Sequence, residues 1–192
     1  MERRVFDEKK LTERKNNNSG FRSCPLCGAP LKKQMIDSIL RLQCSNSACD
    51  YIYFHNPIPA AGAMIINDGK ILLVKRAREP KQGWWCIPAG FMEWTEHPSE
   101  TAIREVEEET GLKVKLDSLF EVYSGTDDPR TNAILIVYLA TVIEGTPRAG
   151  DDADEVGYFS FDALPEKIAF VSNRQALADY RRRFLEKDSR KV

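Results

Sequence analysis

The sequence GFMEWTEHPSETAIREVEEETGL, residues 90–112, contains seven carboxylates and one arginine. On a helix, Glu105 and Glu109 share a face at i, i+4 spacing, with Glu108 on its edge, and like charges so spaced destabilise an isolated helix. A bound cation would explain such a cluster, and oxygen ligands suit hard metals such as Mg²⁺ or Mn²⁺. The alternative is a solvated acidic helix face, which is the usual meaning of a glutamate run.

The spacing within this stretch is more specific than its charge. Five residues separate Gly90 from Glu96, and seven more lead to Arg104. The following residues complete nine specified positions over 23 residues, all of which match the Nudix box. The chain therefore resembles a Nudix hydrolase, a family that cleaves nucleoside diphosphates linked to another moiety with divalent metal bound by this helix.

The resemblance implies a set of metal ligands. Glu105 and Glu109 are expected to bind metal, and Glu108 to act as a ligand or as the base that orients water. The backbone carbonyl near Ala89–Gly90 is expected to be a further ligand. In this chemistry Mg²⁺ or Mn²⁺ withdraws charge from the pyrophosphate and orients the water nucleophile.

Three further residues are expected to support this catalytic site. Arg104 should pair with a box carboxylate and hold it in place. Glu96 is expected either to bind a further metal or to cap the helix. Many members of the family add an acidic base from a distal loop, and Glu155, which follows three aspartates and precedes an aromatic strand, is the candidate here.

Cysteines near the start of the chain form a separate pattern. Cys24 and Cys27 are a C-x2-C pair, and Cys44 and Cys49 are a C-x4-C pair. Paired cysteines in a cytosolic chain favour a metal site over disulfides, and four thiolates around Zn²⁺ give a closed structural site. We therefore expect a zinc ribbon, with four free thiols as the alternative and His55 as a conceivable substitute ligand.

Length and charge limit the number of domains and the kinds of partner. The chain has 192 residues, which allow one domain and a small module, and 42% of them are hydrophobic. The net charge of −1 gives no general attraction to nucleic acid or to anionic membranes. No apolar run reaches the roughly 20 residues that span a bilayer, and the charged start lacks a secretory signal. We expect a cytoplasmic protein.

The order of motifs predicts a flexible tail at 1–20, the ribbon at 21–56, a main domain at 57–187 and a short tail at 188–192. The main domain is expected to be α/β, and the resemblance implies a Nudix α/β/α sandwich with a mixed sheet. Apolar patterning predicts its strands near residues 60–66, 70–75, 116–123, 133–142 and 156–161.

Two helices are predicted in this domain. The first begins at Pro98 or Ser99 and ends at Thr110, and the second spans residues 173–186 with Ser172 as its N-cap. The inward face of the first helix is predicted to carry Ala102, Ile103 and Val106.

The box identifies the chemistry but not the leaving group. NADH pyrophosphatases combine a ribbon with a Nudix domain and carry an array close to S-Q-P-W-P-x-P-x-S after the box. This array is missing, because residues 120–126 read FEVYSGT. Segments after the box resemble ADP-ribose pyrophosphatases and, at residues 168–170, plant FAD pyrophosphatases. The expected substrate is an ADP-containing dinucleotide or nucleotide sugar, cleaved to AMP and a second phosphate.

Seven residues outside the box are candidates for substrate binding. Trp84, Tyr123 and Phe170 could stack on adenine. Arg130 is the best candidate to hold phosphate or ribose oxygens, and Arg76, Arg78 and Arg174 are the others. The alternatives are core packing for the aromatic residues and surface ion pairing for the other three arginines.

Two other function classes remain open. One is a regulator that senses nucleotides with a Nudix fold, although such proteins tend to have degraded boxes and no box carboxylate is lost here. The other is a hydrolase acting on RNA 5′ ends of the NAD-cap type. The ribbon and the basic start, which has seven Lys and Arg and four acidic residues over residues 1–23, favour this second class.

Relatives in this family often form homodimers.

Overall fold

The structure is a computed structural model that describes residues 21–150 and 152–186. The predicted tails at 1–20 and 188–192 lie outside these residues. The chain divides into two compact units, the first ending at Asn56 and the second beginning at Pro57. No helix in the described ranges is long and apolar enough to span a membrane.

The first unit is a small antiparallel sheet. Its strands are β1 (Leu31–Ile36), β2 (Ile39–Cys44) and β3 (Ile52–Tyr53), in that spatial order. Asp37 and Ser38 form the two-residue turn between β1 and β2, with φ of 51° and 63°. Positive φ at both turn residues gives a two-residue turn whose twist matches the right-handed twist of the flanking strands.

The second unit contains a mixed sheet of seven strands. Its main path runs β10-β5-β4-β9-β8, with β6 paired to β5 and β7 paired to β4. Only the β4–β9 pair is parallel among these described strands. The strands are β4 (Ile58–Asn67), β5 (Lys70–Arg76), β6 (Trp85–Cys86), β7 (Ala89–Phe91), β8 (Lys113–Gly125), β9 (Ala133–Glu144) and β10 (Ala153–Ser160).

Helices cover the two faces of this sheet. Helix α1 (Pro98–Thr110) packs Val106 against Ala63 and Ile65 of β4, whereas helix α2 (Val171–Tyr180) packs Leu177 into the cluster that contains Met64. Successive residues of a strand point to opposite faces, so α1 and α2 lie on opposite sides. The architecture is therefore the mixed α/β fold that the sequence predicted.

Two details of the helices differ from prediction. Ile103 of α1 is 38% exposed, and the polar residues Thr101 and Glu109 are buried instead, because this helix turns its carboxylate face inwards. Ser172 is not an N-cap: α2 begins at Val171, and Ser172 is buried in its first turn. The helix continues beyond Tyr180 as a π-helical turn over Arg181–Leu185.

Candidate active site

The second unit contains a cavity of about 350 Å³. Residues from β4, β5, β7, β9 and both helices line it, together with the loops before β6 and β9. Small side chains such as Ala60, Ala89 and Ala133 leave this space open. Some of the charged residues predicted for the site line this cavity and others do not.

Glu105 reaches the cavity from α1 and contacts β7. The carboxyl group of Glu105 occupies the space that a Cβ atom at Gly90 would fill. Its Oε1 accepts a hydrogen bond of 2.6 Å from Arg104 Nη1. Burial raises the pKa of Glu105, and Arg104 opposes that shift. A glycine is therefore required at position 90 for this carboxylate to lie against the backbone.

Glu109 lies one helical turn further and is only 8% exposed. Its Oε2 accepts a hydrogen bond of 3.0 Å from the backbone N–H of Ala89, and it takes part in no salt bridge among the described residues. Burial raises the pKa of Glu109 to about 8, and the charge of Glu105 adds to the effect. Two neighbouring carboxylates, of which only Glu105 is paired with an arginine, are a donor set that a divalent cation would complete.

Arg104 organises the acidic residues around this pair. Its Nε donates to Glu96 Oε1 at 2.6 Å and its Nη1 donates to Glu108 Oε2 at 2.9 Å, in addition to its bond with Glu105. Glu108 is largely exposed and does not line the cavity. Arg104 thus holds three carboxylates of the stretch together, as a single guanidinium with several donors can do.

Glu96 is engaged by the protein rather than turned towards the cavity. Thr101 donates to its Oε2 at 2.7 Å and the backbone N–H of Glu93 donates at 3.0 Å. Hydrogen bonds from Arg104 first, then from Glu93 and Thr101, lower the pKa of Glu96 to about 2. The helix is capped by His97 and Glu100 in a reciprocal capping box, so the expected capping role of Glu96 is wrong.

The distal acidic loop presents a different residue from the one predicted. Glu155 is exposed and pairs with Lys75 at 3.4 Å, outside the cavity. Asp152 lines the cavity instead and pairs with Arg78 at 3.2 Å. A bulge between Ala153 and Glu155 shifts the register of β10, and such a shift changes which side chains face the site.

Four of the predicted substrate residues line the cavity: Phe170, Arg130, Arg76 and Arg78. The guanidinium of Arg76 lies 5.0 Å from the centre of the Phe170 ring, and its Nε donates to the Pro80 carbonyl at 2.8 Å. Arg76 forms no salt bridge with any described residue. Phe170 has a φ of 57°, a conformation that is uncommon for an aromatic residue and that clusters at functional sites.

Tyr123, Trp84 and Arg174 do not line the cavity. Tyr123 is 7% exposed and donates a hydrogen bond to Asp179 at 3.1 Å, so it is a core residue. Trp84 packs below Lys81, whose Nζ lies 4.6 Å from the ring centre. Arg174 donates to the Ile168 carbonyl at 2.9 Å. Packing for the two aromatic residues and surface interactions for Arg174 therefore describe them better than substrate binding.

Several cavity residues were not singled out from the sequence as candidates for the site. Asn173 accepts a hydrogen bond of 2.8 Å from the backbone N–H of Ile87 and fixes the strand that leads into the box. Ser172, Asp128 and Glu79 also line the cavity. No local motif marks these residues, because only the packing of α2 and of the loop before β9 brings them to the same space.

The first unit contains a second candidate metal site. The sulfur atoms of the four paired cysteines all lie within 4.8 Å of one another: Cys24, Cys27, Cys44 and Cys49. The Cys24–Cys49 distance is 3.8 Å and the Cys27–Cys44 distance is 3.4 Å. Tetrahedral zinc with Zn–S bonds of about 2.3 Å places sulfur atoms about 3.8 Å apart. The cluster therefore fits one zinc ion, despite the C-x4-C spacing.

Comparison with known proteins agrees with this geometry. The ADP-ribose pyrophosphatase of Methanocaldococcus jannaschii is 44% identical over 132 residues, which cover 68% of this chain and 76% of that protein. The NAD-capped RNA hydrolase NudC of Vibrio atlanticus is 27% identical over 147 residues, which cover 76% of this chain and 52% of that protein.

A solved structure also matches most of the chain. The crystal structure of a NUDIX hydrolase from Nitrosomonas europaea aligns with a TM-score of 0.73 at 30% identity, covering 83% of this chain and 90% of that one. The NUDIX domain family matches residues 56–180. The chain belongs to the Nudix hydrolase family, and it is an enzyme of that family.

Proposed function

We propose that this protein hydrolyses the pyrophosphate of an ADP-containing nucleoside diphosphate derivative, with ADP-ribose or FAD favoured, to AMP and a phosphorylated product. The observation that carries the proposal is the convergence of Glu105 and Glu109 on one cavity with Arg76, a cation without a carboxylate partner among the described residues. The M. jannaschii ADP-ribose pyrophosphatase, the relative of 44% identity, supports the choice of substrate.

The acidic residues of α1 fit Mg²⁺ or Mn²⁺. Glu105, Glu109 and the carbonyl of the Ala89–Gly90 segment would hold the ion, and Glu108 would join from the rim. Such an ion neutralises charge on the pyrophosphate and lowers the pKa of water. Arg104 keeps Glu105 in position and helps to offset the repulsion between the carboxylates.

Other residues of the cavity handle substrate and proton. Arg76 is oriented by Phe170 and Pro80 and is placed to bind a phosphate oxygen. Asp152 takes the role expected of Glu155, because among the described carboxylates of the distal loop it is the one that lines the cavity. A base must lie within hydrogen-bond reach of the water it activates, and Glu155 is directed towards Lys75 instead.

The first unit is proposed to be a zinc ribbon held by one structural Zn²⁺ on its four cysteines. Its short strands provide little apolar core, and small modules of this kind usually need a metal to fold. The sulfur spacing supports zinc over four free thiols.

A second candidate function is removal of a nucleotide cap from RNA 5′ ends. The match to NudC favours it, because that alignment covers 147 residues and is therefore longer than the matched NUDIX domain. A purely nucleotide-sensing role is disfavoured, because all the carboxylates of the box are present and two of them line the cavity.

The test is turnover of ADP-ribose, FAD, NADH, a nucleotide sugar and NAD-capped RNA, with Mg²⁺ and with Mn²⁺, followed by identification of AMP. Glu109→Gln should lose activity. Glu107→Gln, which changes an exposed glutamate of the same helix, should keep it. Efficient turnover of capped RNA alone would replace the first proposal by the second. Tight binding of ADP-ribose without turnover of any substrate would favour the sensor.

A further inference from the structure

A carboxylate outside helix α1 and the distal loop also lines the cavity. Asp128, in the loop between β8 and β9, has a side chain that is 10% exposed. Its Oδ1 accepts hydrogen bonds from the backbone N–H and the Nε of Arg130 at 2.8 and 3.1 Å, and its Oδ2 accepts one from Nη2 at 2.9 Å. Arg130 therefore fixes the orientation of this carboxylate and leaves acceptor capacity unused.

The loop that carries Asp128 is joined to the first turn of α2. Asp127 Oδ1 accepts a hydrogen bond of 2.9 Å from the backbone N–H of Val171. The next residue of the helix, Ser172, also lines the cavity. Asp127 thus holds together the two segments that supply Asp128 and Ser172.

Ser172 has a polar group without a protein partner. The residue is 4% exposed, and its hydroxyl makes no hydrogen bond to any residue in the described ranges. A Cβ atom at Gly125 would lie 3.7 Å from the Oγ of Ser172. The hydroxyl therefore lies next to a residue that has no side chain. Because Ser172 lines the cavity, its hydroxyl is available to exchange hydrogen bonds with a ligand group.

A fixed carboxylate is an unsuitable neighbour for a phosphate but a good acceptor for hydroxyl groups. Carboxylates read ribose hydroxyls in this way in dinucleotide-binding folds. We infer that Asp128, held by Arg130, forms with Ser172 a subsite that reads the hydroxyls of a substrate ribose and disfavours phosphate on that sugar. The inference rests on the proposed function and defines its substrate as one with an unphosphorylated ribose at this position.

The test combines changes in the protein with changes in the substrate. The variants are Asp128→Asn and Ser172→Ala, and Asp162→Asn is the matched control, because Asp162 pairs with Arg181 at the surface. The substrates are ADP-ribose and its 2-deoxy and 2-phosphorylated analogues, each prepared on the terminal ribose and on the adenosine ribose. These arms identify which of the two sugars occupies the subsite.

The wild type should prefer the free hydroxyl, and Asp128→Asn should lower kcat/KM for ADP-ribose about 10- to 100-fold, mainly through KM. Asp128→Asn should change turnover little for the deoxy analogue that lacks the recognised hydroxyl. It should improve turnover of the analogue that carries phosphate on the same ribose. Ser172→Ala should change kcat/KM for the same substrates in the same directions, with smaller fold-changes. Asp162→Asn should behave as wild type on all substrates.

Equal losses with all five substrates would overturn the inference, because Asp128 would then only support the loop. If Asp128→Asn is not folded, Ser172→Ala decides, and an identical substrate ranking to wild type would overturn the inference. Calorimetric binding of the same analogues separates the two proposals. A wild type that hydrolyses neither these compounds nor FAD refutes the proposed function, whereas unchanged selectivity of binding in the variants refutes the subsite.

Discussion

Gly90 and Glu105 are in direct contact: the carboxyl group of Glu105 fills the volume that a Cβ atom at residue 90 would take. One residue precedes the helix and the other lies in its second turn, so the glycine of the box and the first glutamate proposed to bind metal are parts of a single packing arrangement. The φ of Gly90 is not positive, so space alone requires the glycine.

Gly90→Ala should therefore displace Glu105. We expect kcat/KM to fall about 100-fold, because misplacing a catalytic group by about 1 Å has effects of that size, and Mn²⁺ binding to weaken in parallel. For metal binding, Gly125→Ala is the matched control and should leave Mn²⁺ affinity unchanged, because its Cβ would meet Ala133 and Ser172 at ordinary contact distances and no box carboxylate. Equal Mn²⁺ affinity in the wild type and Gly90→Ala would contradict this account.

Glu109→Gln should stabilise the metal-free protein at alkaline pH. The pKa of Glu109 is raised from 4.5 to about 8 by burial and by Glu105, so between these values the folded state retains a proton that the unfolded state has released. Stability of the metal-free wild type should then fall with rising pH in this window, by at most about 1.4 kcal/mol per pH unit.

Thermal unfolding in a chelator measures this effect. The Tm of Glu109→Gln minus that of wild type should increase from pH 5 to pH 8. A difference that does not vary with pH would show that Glu109 ionises normally in the fold.

Asp152→Asn and Glu155→Gln should separate the two carboxylates of the distal loop. We expect kcat to fall at least about tenfold for Asp152→Asn, since general bases contribute factors of that order or more, and to change less than about twofold for Glu155→Gln. The reverse ranking would restore the role that the sequence suggested for Glu155.

Arg104→Lys should show whether one guanidinium is needed to hold three carboxylates. A lysine offers a single point of charge, so it should leave some of the contacts to Glu96, Glu105 and Glu108 unmade. We expect about tenfold lower kcat and weaker Mn²⁺ binding, with little change in Tm. Arg181→Lys, at a surface ion pair, should leave all three quantities unchanged.

Cys44→Ser should remove the zinc of the first unit. Metal analysis should give about one zinc per wild-type chain and a large loss in the variant. Turnover of ADP-ribose should persist, because the core clusters that support the cavity are formed by residues of the second unit alone. Loss of capped-RNA binding together with retained ADP-ribose turnover would assign the ribbon to nucleic acid.

The sequence determined the residues of the metal site because that site is built locally. Glu105 and Glu109 share a helix face through the 3.6-residue period, and Gly90 precedes this helix at a fixed spacing. The cysteine pairs are equally local, so their clustering was also predictable. These features depend on backbone geometry over short stretches of chain.

The tertiary structure decided everything that required distant segments to meet. Asp152 lines the cavity and Glu155, beyond the bulge of β10, pairs with Lys75, and Tyr123 is buried because α2 packs over β8. Asp128 and Ser172 share one wall only because Asp127 ties the β8–β9 loop to α2. The sequence by itself thus determined the family and the positions of the carboxylates proposed to bind metal, whereas the wall proposed to face the substrate was decided by long-range packing, which no local pattern encodes.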